Sequence, residues 1–395
     1  MKDILIIANF CDYENKKGNN RFNYIAELIT KKGYNVELVT SSFSHDRKIQ
    51  RERIEDGKYK ITLLKEPGYT KNISIRRFYS HYFFGNQVKR YLKDRKKPDV
   101  IYCAIPSLSG PYYVSKYCKQ NGIRFVIDIQ DLWPEAFMMI FNPPIIGKII
   151  YKPFEIVANK IYSSANDVIA VSQTYIERAK NVNNKINRSY PIFLGTDLKT
   201  FEQNAIKNKI EKNTDKLLLG YCGTLGSSYD LTCVIDALEI LNKENINTPK
   251  FIIMGDGPLK EKFEKYAQKK NVECEFTGRL PYDVMCGKLC ACDMVVNPIS
   301  KGAAQSIINK HADYAASGLP ILNTQENKEY RDLITKYGMG FNCKNNDPID
   351  LSEKLKILIQ NSEMRIKMGK NAKRCAKEMF DRKESYNIIV DILTE

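Results

Sequence analysis

Histidine and tryptophan are scarce in this chain, with three and one among 395 residues. No histidine stands near the one cysteine cluster, Cys286, Cys290 and Cys292, and no second ligand pair accompanies it, so a zinc site is incomplete there. Cys286 and Cys290 read instead as small apolar residues one turn apart on a buried helix face. The 11 cysteines are odd in number and lack framework spacing, which points to a reducing cytoplasm. Nowhere does an apolar run reach the roughly 18 to 20 residues that cross a bilayer. Met1 leads straight into ILIIANF, too short for the apolar region of a secretory signal and without a cleavage site, so no signal is expected. The fingerprint G-x-G-x-x-G does not follow the first apolar run, which disfavours a dehydrogenase, and a P-loop is missing too.

What the chain does have is length and positive charge on one side. At 395 residues it exceeds one ordinary core, so two domains are expected. Hydrophobic residues make up 43%, the composition of a soluble globular protein. The net charge of +16 is uneven. Residues 1–200 hold 33 Lys and Arg against 19 Asp and Glu, whereas 201–395 hold 29 against 27. Residues 47–97 alone hold 16 basic and 5 acidic side chains. A one-sided basic domain implies an anionic partner: a membrane surface, a nucleic acid or a phosphorylated substrate.

Hydrophobic periodicity orders the rest. KDILIIANF reads as a buried strand, CDYENKKGNN as a polar loop, RFNYIAELITKKG as a helix closed by Gly33, and YNVELVTSSF as the next strand. This is the opening of a doubly wound sheet. KITLLKE, PDVIYCAI, RFVIDIQ and NDVIAVS supply four more strands, which makes six in a first domain over residues 1–201. Residues 202–215 are polar and aperiodic and read as a linker. Residues 216–375 repeat the alternation, with strands in LLLGYCGTLG, KFIIMGDGP, VECEFTGRL, DMVVNPI and PILNT. Residues 376–395 read as a C-terminal helix packing back toward the first domain. The expected fold is α/β: two Rossmann-like doubly wound domains facing a cleft, with the carboxyl ends of both sheets turned toward it.

GYCGTLG and MGDGP each put glycines directly after a strand, where a backbone can approach phosphate or simply turn. The combination is more specific. MGDGP, then FTGRLP, then NKHADYAASGLPILNT and NKEY resemble the retaining nucleotide-sugar glycosyltransferases of the GT-B fold, in the large family numbered four. DIQDLWPEAF further resembles the subgroup that builds bacterial capsule, O-antigen and exopolysaccharide units on a polyprenyl carrier. The resemblance covers nearly the whole chain and is most specific in its C-terminal half. It implies that QSIINKHADYAASGLPIL carries two acidic positions eight apart on one helix, here Gln305 and Asp313. The second holds the nucleotide ribose, because a carboxylate accepts both diol hydroxyls; the first helps to place the sugar. The helix start, Ser306, Ile307 and Ile308, offers N–H groups to the pyrophosphate, and Lys310 supplies charge. Gln305 stands where the family has an acid. Thr224 and Asp230 stand near the places where many members carry an Arg and a Lys that clamp the pyrophosphate. The clamp therefore falls to Lys310, Arg279 or backbone N–H groups. Gly278, Arg279 and Leu280 lie where relatives hold the base.

In the first domain, Gly18, Asn19 and Asn20 match the loop that approaches the donor's distal phosphate or sugar, or else form a plain turn. Asp131 follows the strand RFVIDI and is the expected catalytic contact to the transferring sugar, with Gln130 and Glu135 behind it. Trp133 reads as packing; His45, His81 and His311 read as surface or packing residues. The resemblance implies transfer with retention and without a protein nucleophile, metal or other cofactor. The leaving phosphate takes the acceptor's proton while the new bond forms on the same face. The expected donor is a UDP-sugar and the expected acceptor a polyprenyl-linked or other saccharide. The expected setting is the cytoplasmic face of the plasma membrane, with the protein peripheral on an anionic surface through residues 47–97 and the apolar stretch FMMIFNPPIIGKIIYKPF. A nucleotide-sugar epimerase of the same architecture is the alternative. A nucleic-acid binder would use the strip IRRFYSHYFFGNQVKRYLK but leave the C-terminal half without a purpose, so no nucleic acid is expected.

Overall fold

The computed structural model describes residues 2–11, 20–52, 57–72, 74–140, 146–212, 214–302 and 307–395. The chain divides into two units, Met1–Phe193 with Glu384–Glu395, and Leu194–Lys383.

Unit 1 runs β1 (Asp3–Ala8), α1 (Arg21–Lys31), β2 (Asn35–Ser41), β3 (Phe43–Ser44), β4 (Ile49–Gln50), β5 (Lys60–Leu64), α2 (Ile75–Asp94) and β6 (Val100–Ile105). It continues with α3 (Ser109–Asn121), β7 (Arg124–Ile129), α4 (Glu135–Ile140), α5 (Ile146–Tyr162), β8 (Asp167–Ala170), α6 (Gln173–Lys180) and β9 (Arg188–Pro191). Seven strands form one parallel sheet in the order β5-β2-β1-β6-β7-β8-β9. The continuous apolar run of β1 follows from burial on both faces. Ile4 and Ile6 pack with Phe22 and Ile25 of α1, while Leu5 and Ile7 pack with Phe84, Val88 and Val114 on the other side. The seventh strand, β9, was not expected. Its sequence RSYP is short, half exposed at the sheet edge and ends in proline, so it shows no apolar alternation.

Unit 2 runs α7 (Leu198–Lys207), β10 (Leu218–Cys222), α8 (Leu231–Lys243), β11 (Lys250–Met254), α9 (Lys260–Lys269), β12 (Cys274–Gly278), α10 (Tyr282–Cys290) and β13 (Met294–Asn297). Then follow α11 (Asn309–Ser317), β14 (Ile321–Asn323), α12 (Lys328–Tyr337), β15 (Gly340–Asn342), α13 (Pro348–Gln360) and α14 (Ser362–Cys375). The last helix, α15 (Arg382–Thr394), belongs mostly to unit 1, where Tyr386, Ile389, Val390 and Leu393 join the core beside Ile4. The second sheet is parallel with the order β12-β11-β10-β13-β14-β15. Its sixth strand, GFN, is too short to carry a pattern. Residues 202–215 are not simply a linker, because α7 covers the first part of them. Asp197 caps that helix through the Thr200 N–H at 2.8 Å, and one buried side chain, Phe201, anchors it. A helix held by a single aromatic residue looks aperiodic in sequence.

In both sheets the strand order reverses beside the first strand, at β1/β6 and at β10/β13. Open α/β sheets bind ligands at the carboxyl ends of strands around such a switch point.

Candidate functional site

Helix α11 follows β13 at the switch point of unit 2, and its neighbours fix it closely. The fully buried Tyr314 hydroxyl accepts from the Cys222 N–H at 3.0 Å and lies 3.3 Å from the Cys222 carbonyl, which ties α11 to the end of β10. Gly318 closes the helix at φ +72°. Helix α14 passes so near that a Cβ at Gly369 would lie 2.1 Å from the Gly318 carbonyl oxygen, which accounts for the small residues around this end. At the other end, His311 Nδ1 accepts from the Ile308 N–H at 3.0 Å, and Nε2 bonds to Gln325 Oε1 at 2.8 Å. Burial, with Lys310 adding to it, pushes this imidazole down to about 3, so it caps the helix as a neutral ring.

The helix thus begins at Asn309 and carries Asp313. Gln305 and Ser306 lie outside the described residues, as do Gly18 and Asn19. The Ile308 N–H is committed to His311 rather than open to a phosphate, and Ile307 is buried.

Lys310 is 7% exposed, and its Nζ has no hydrogen-bond partner among the described residues. The ammonium sits 3.9 Å from the Tyr229 ring centre and 5.1 Å from that of Tyr221. Burial pulls its pKa down to about 7, with Cys222 opposing. Asn309 Oδ1 and Asn297 Oδ1 are also buried without partners among the described residues. Asp313 is 5% exposed; its Oδ1 accepts from the Tyr282 hydroxyl at 2.8 Å, and that hydroxyl lies 2.9 Å from Thr196 Oγ1. Burial raises the Asp313 carboxyl to about 6 against the pull of Tyr282 and Thr196. Sequence reasoning missed both partners. The only signal for Tyr282 was its place directly after TGRLP.

The remaining expected residues of unit 2 are spread out. Thr224 is exposed in the turn after β10, and its carbonyl accepts from the Tyr221 hydroxyl at 2.8 Å. Asp230 caps α8 through the Cys233 N–H at 3.0 Å. Arg279 is exposed and Leu280 half-buried between β12 and α10. The glycines of MGDGP serve packing: a Cβ at Gly255 would stand 1.8 Å from the Gly223 carbonyl oxygen.

In unit 1, Asp131 lies just past β7. Its carboxylate accepts from the Leu132 N–H at 3.0 Å and from Trp133 Nε1 at 3.3 Å, and burial raises its pKa. Glu135 is engaged by Arg178 at 2.5 Å, and Asn20 caps α1 through the Asn23 N–H. Gln130 Nε2 is buried without a partner among the described residues. Around Asp131 stands a group that the sequence reading did not isolate. The half-buried Arg77 guanidinium lies 4.9 Å from the Trp133 ring centre, 5.6 Å from Tyr69 and 5.7 Å from Phe10. His45 Nδ1 is 2.6 Å from the Tyr69 hydroxyl, and His81 stacks on Trp133 at 5.4 Å. Burial holds both imidazoles neutral, His45 at about 4 and His81 at about 2, with neighbouring cations adding to it. Arg77 therefore does not belong to the exposed basic strip in which IRRFYSHYFF placed it. Ile75, Tyr79 and Tyr82 of that strip are exposed, as is Ile149 on α5. Among the described residues no helix is long and apolar enough to cross a membrane.

Residues 202–375 match the family model described as glycosyl transferases group 1. The probable glycosyltransferase WbjE of Pseudomonas aeruginosa is 24% identical over 241 residues, 58% of this chain and 58% of that protein. The chain thus spans little more than half the length of the curated relatives it matches. The sucrose-phosphate synthase of Thermosynechococcus elongatus superposes with a TM-score of 0.74 at 14% identity, covering 99% of this chain and 98% of that one. HepE of Anabaena, solved in complex with UDP, superposes with a TM-score of 0.67 at 15% identity over 100% of both chains. With these structures the chain shares the fold.

Proposed function

We propose that this chain, an α/β protein of GT-B fold whose residues 202–375 match the group 1 glycosyl transferases, is a glycosyltransferase that moves a sugar from a nucleotide-sugar to a saccharide hydroxyl. The observation that carries the reading is the pair on α11: a buried cation without a partner among the described residues and, three residues on, a buried carboxylate with one oxygen engaged. A nucleoside diphosphate answers both. Its diphosphate matches Lys310, and its ribose diol donates to Asp313. The donor is assigned as a UDP-sugar, for which the UDP held by HepE is support. Asp131 is assigned to the transferring sugar or the acceptor hydroxyl.

Transfer proceeds with retention. The glycosidic bond to the leaving phosphate breaks, the acceptor oxygen bonds to the anomeric carbon on the same face, and the acceptor's proton passes to a leaving phosphate oxygen. The protein positions the partners and stabilises the developing phosphate charge. That charge is assigned to Lys310, and no metal is assigned. The acceptor is a lipid-linked saccharide of bacterial surface polysaccharide, met at the anionic cytoplasmic face of the plasma membrane. Exposed cations such as Lys89 and Arg90, and exposed Ile75 and Ile149, support that setting.

Calorimetric titration with UDP tests the nucleotide assignment. Asp313→Ala removes two charge-assisted hydrogen bonds, on the order of 2 to 4 kcal/mol together. An unchanged UDP affinity in a folded variant would sink the assignment. A thermal-shift panel of UDP-, GDP-, dTDP- and CMP-sugars tests the base, and a response confined to another base would replace UDP.

A further inference from the structure

Tyr229 has no part in the assignments above, yet the Lys310 ammonium lies over its ring, 3.9 Å from the centre. The loop that carries it, GTLGSSYD, is pinned on both sides. On one side Asp230 caps α8. On the other runs the segment after β13. The Asp230 N–H donates to the Pro298 carbonyl at 2.8 Å, the Ser300 N–H donates to the Ser228 carbonyl at 3.0 Å, and Tyr229 forms an antiparallel bridge with Ile299. Ile299 is held in turn, its carbonyl accepting from Asn345 Nδ2 at 2.7 Å. Tyr221 stands edge-on to Tyr229 with ring centres 5.9 Å apart, and its own hydroxyl donates to the Thr224 carbonyl. These contacts fix where the Tyr229 ring stands.

Among the described residues, no group that faces the amine forms an ion pair with it. Cys222 of β10 is a thiol that burial pushes up to about 12, so it stays protonated. His311, the next residue of α11, is a neutral ring. Asp313, three residues on, directs Oδ1 to the Tyr282 hydroxyl. Burial lowers the amine to about 7, so whatever favours the ammonium decides how much of it is charged at neutral pH. Two kinds of neighbour can favour it. A carboxylate cancels the charge and then competes with a phosphate for it. A ring face attracts the cation through its quadrupole and leaves the full charge in place. The second arrangement suits a site in which Thr224 and Asp230 stand near the places of an Arg and a Lys, so that one buried cation serves alone.

We propose that Tyr229 is a positioning residue of the nucleotide site: its ring face keeps Lys310 charged and in place, so that the ammonium meets the diphosphate without a competing anion. The proposal rests on the nucleotide reading of α11 and adds to it a residue from another element.

Two measurements on the full chain test it. Selective isotope labelling of lysine lets NMR follow the Lys310 side chain without ligand, its signal identified by its loss in Lys310→Met. In the wild type this signal should be displaced upfield by the ring, and in Tyr229→Leu it should lose that displacement and titrate about one pH unit lower. Calorimetry with UDP is the second. Tyr229→Leu should bind UDP about tenfold more weakly at pH 8, and the gap should close to about twofold at pH 6, where more of the amine is charged in both proteins. Tyr229→Phe, which keeps the ring, should rescue both readouts. Tyr229→Met is the second ring-free variant if the leucine does not fold. A loss of affinity that is the same at every pH would overturn the proposal and make Tyr229 a packing residue. So would a phenylalanine as damaging as the leucine, which would move the role to the hydroxyl. Intact UDP binding with a lysine signal blind to Tyr229→Leu removes this proposal alone. Absent UDP binding in the wild type removes the nucleotide reading, and the phosphate role of Tyr229 with it, whatever the lysine signal shows.

Discussion

Each unit sets one acid and one cation near each other at its candidate site, and the two pairs are built differently. In unit 2, Lys310 and Asp313 stand three residues apart on one short helix, so a single element fixes both. In unit 1, Asp131 lies just past a strand and Arg77 opens a helix far away in sequence, so the sheet topology brings them together. The cations differ in kind as well. Burial brings the Lys310 amine down to about 7, within reach of ordinary pH. Burial lowers Arg77 too, but a guanidinium stays protonated at any pH a folded protein survives. The charge of one site is adjustable and that of the other is fixed.

The comparison fails first if the two acids do the same work. Asp131→Asn should cut turnover by roughly 10² to 10³, the scale of losing one electrostatic stabiliser, while UDP affinity stays at the wild-type value. Steady-state kinetics alongside calorimetry measures the two quantities. Equal losses in both would make Asp131 a structural residue.

Lys310→Met comes next and should split affinity from stability. Losing a charge-assisted contact to phosphate, about 1.5 to 3 kcal/mol, weakens UDP binding roughly 10- to 100-fold. The same change should raise the melting temperature. The folded pKa of Lys310 lies below its unfolded value of 10.5, so the unfolded chain binds the proton more tightly. The cost of burying the charge is therefore fully present below pH 7 and fades as pH rises toward 10.5. At pH 7 its removal is worth on the order of 2 to 4 kcal/mol, or about 4 to 16 °C for a unit of this size. A lower melting temperature would mean that the ammonium has a partner after all.

How much of this was readable in advance follows from the same contrast. Asp313 and Lys310 could be found because the stretch NKHADYAASGLPILNT that carries both resembles a known family, and one helix holds them ahead of the glycine that stops it. Arg77 could not, because IRRFYSHYFF spells a basic surface strip until the fold turns one of its two arginines inward beside Trp133. His311 looked like a possible surface residue and is a buried neutral cap, a role set by Gln325 on another loop. Tyr282 and Thr196 were missed for the same reason, since a hydroxyl relay over such distances leaves no periodic trace. Among the strands that escaped, β9 and β15 are short edge strands, and α7 is held by a single phenylalanine. Elements that bury two faces announce themselves, whereas elements that bury one side chain do not.

The adjustable charge in unit 2 has a direct test in pH. Only the ammonium form of Lys310 attracts phosphate, and bound phosphate raises its pKa. UDP affinity should therefore begin to fall around pH 7 and decline above it, by up to about tenfold per pH unit, until the bound-state pKa is reached. The terminal phosphate, with a second pKa near 6, is ionised throughout that range. In Lys310→Met the slope above pH 7 should vanish. A slope that persists in the variant would assign the titration to another group.

Tyr282→Phe probes the smallest of these effects and asks whether the Asp313 carboxylate is tuned. The Tyr282 hydroxyl bond stabilises the ionised form, against the burial that already holds the carboxyl at about 6. Without it, the pKa should rise further, and more of the protein should carry a protonated Asp313 at pH 6 to 7. A protonated carboxyl offers one acceptor fewer to a ribose diol. UDP affinity at pH 7 should fall about 2- to 5-fold, the scale of one modest hydrogen bond. Its acid-side decline should begin at higher pH than in the wild type. The phosphate of UDP also titrates in this range, so the quantity to compare is the difference between variant and wild type at each pH, in which the ligand's own ionisation cancels. A parallel pair of curves, weaker but not shifted, would make Tyr282 a packing partner that orients the carboxylate without setting its charge. Superimposed curves would show that the hydroxyl is replaced by water and contributes nothing to nucleotide binding. A shifted acid limb in Tyr282→Phe, together with a flat alkaline limb in Lys310→Met, would assign each side of the pH profile to one residue of α11.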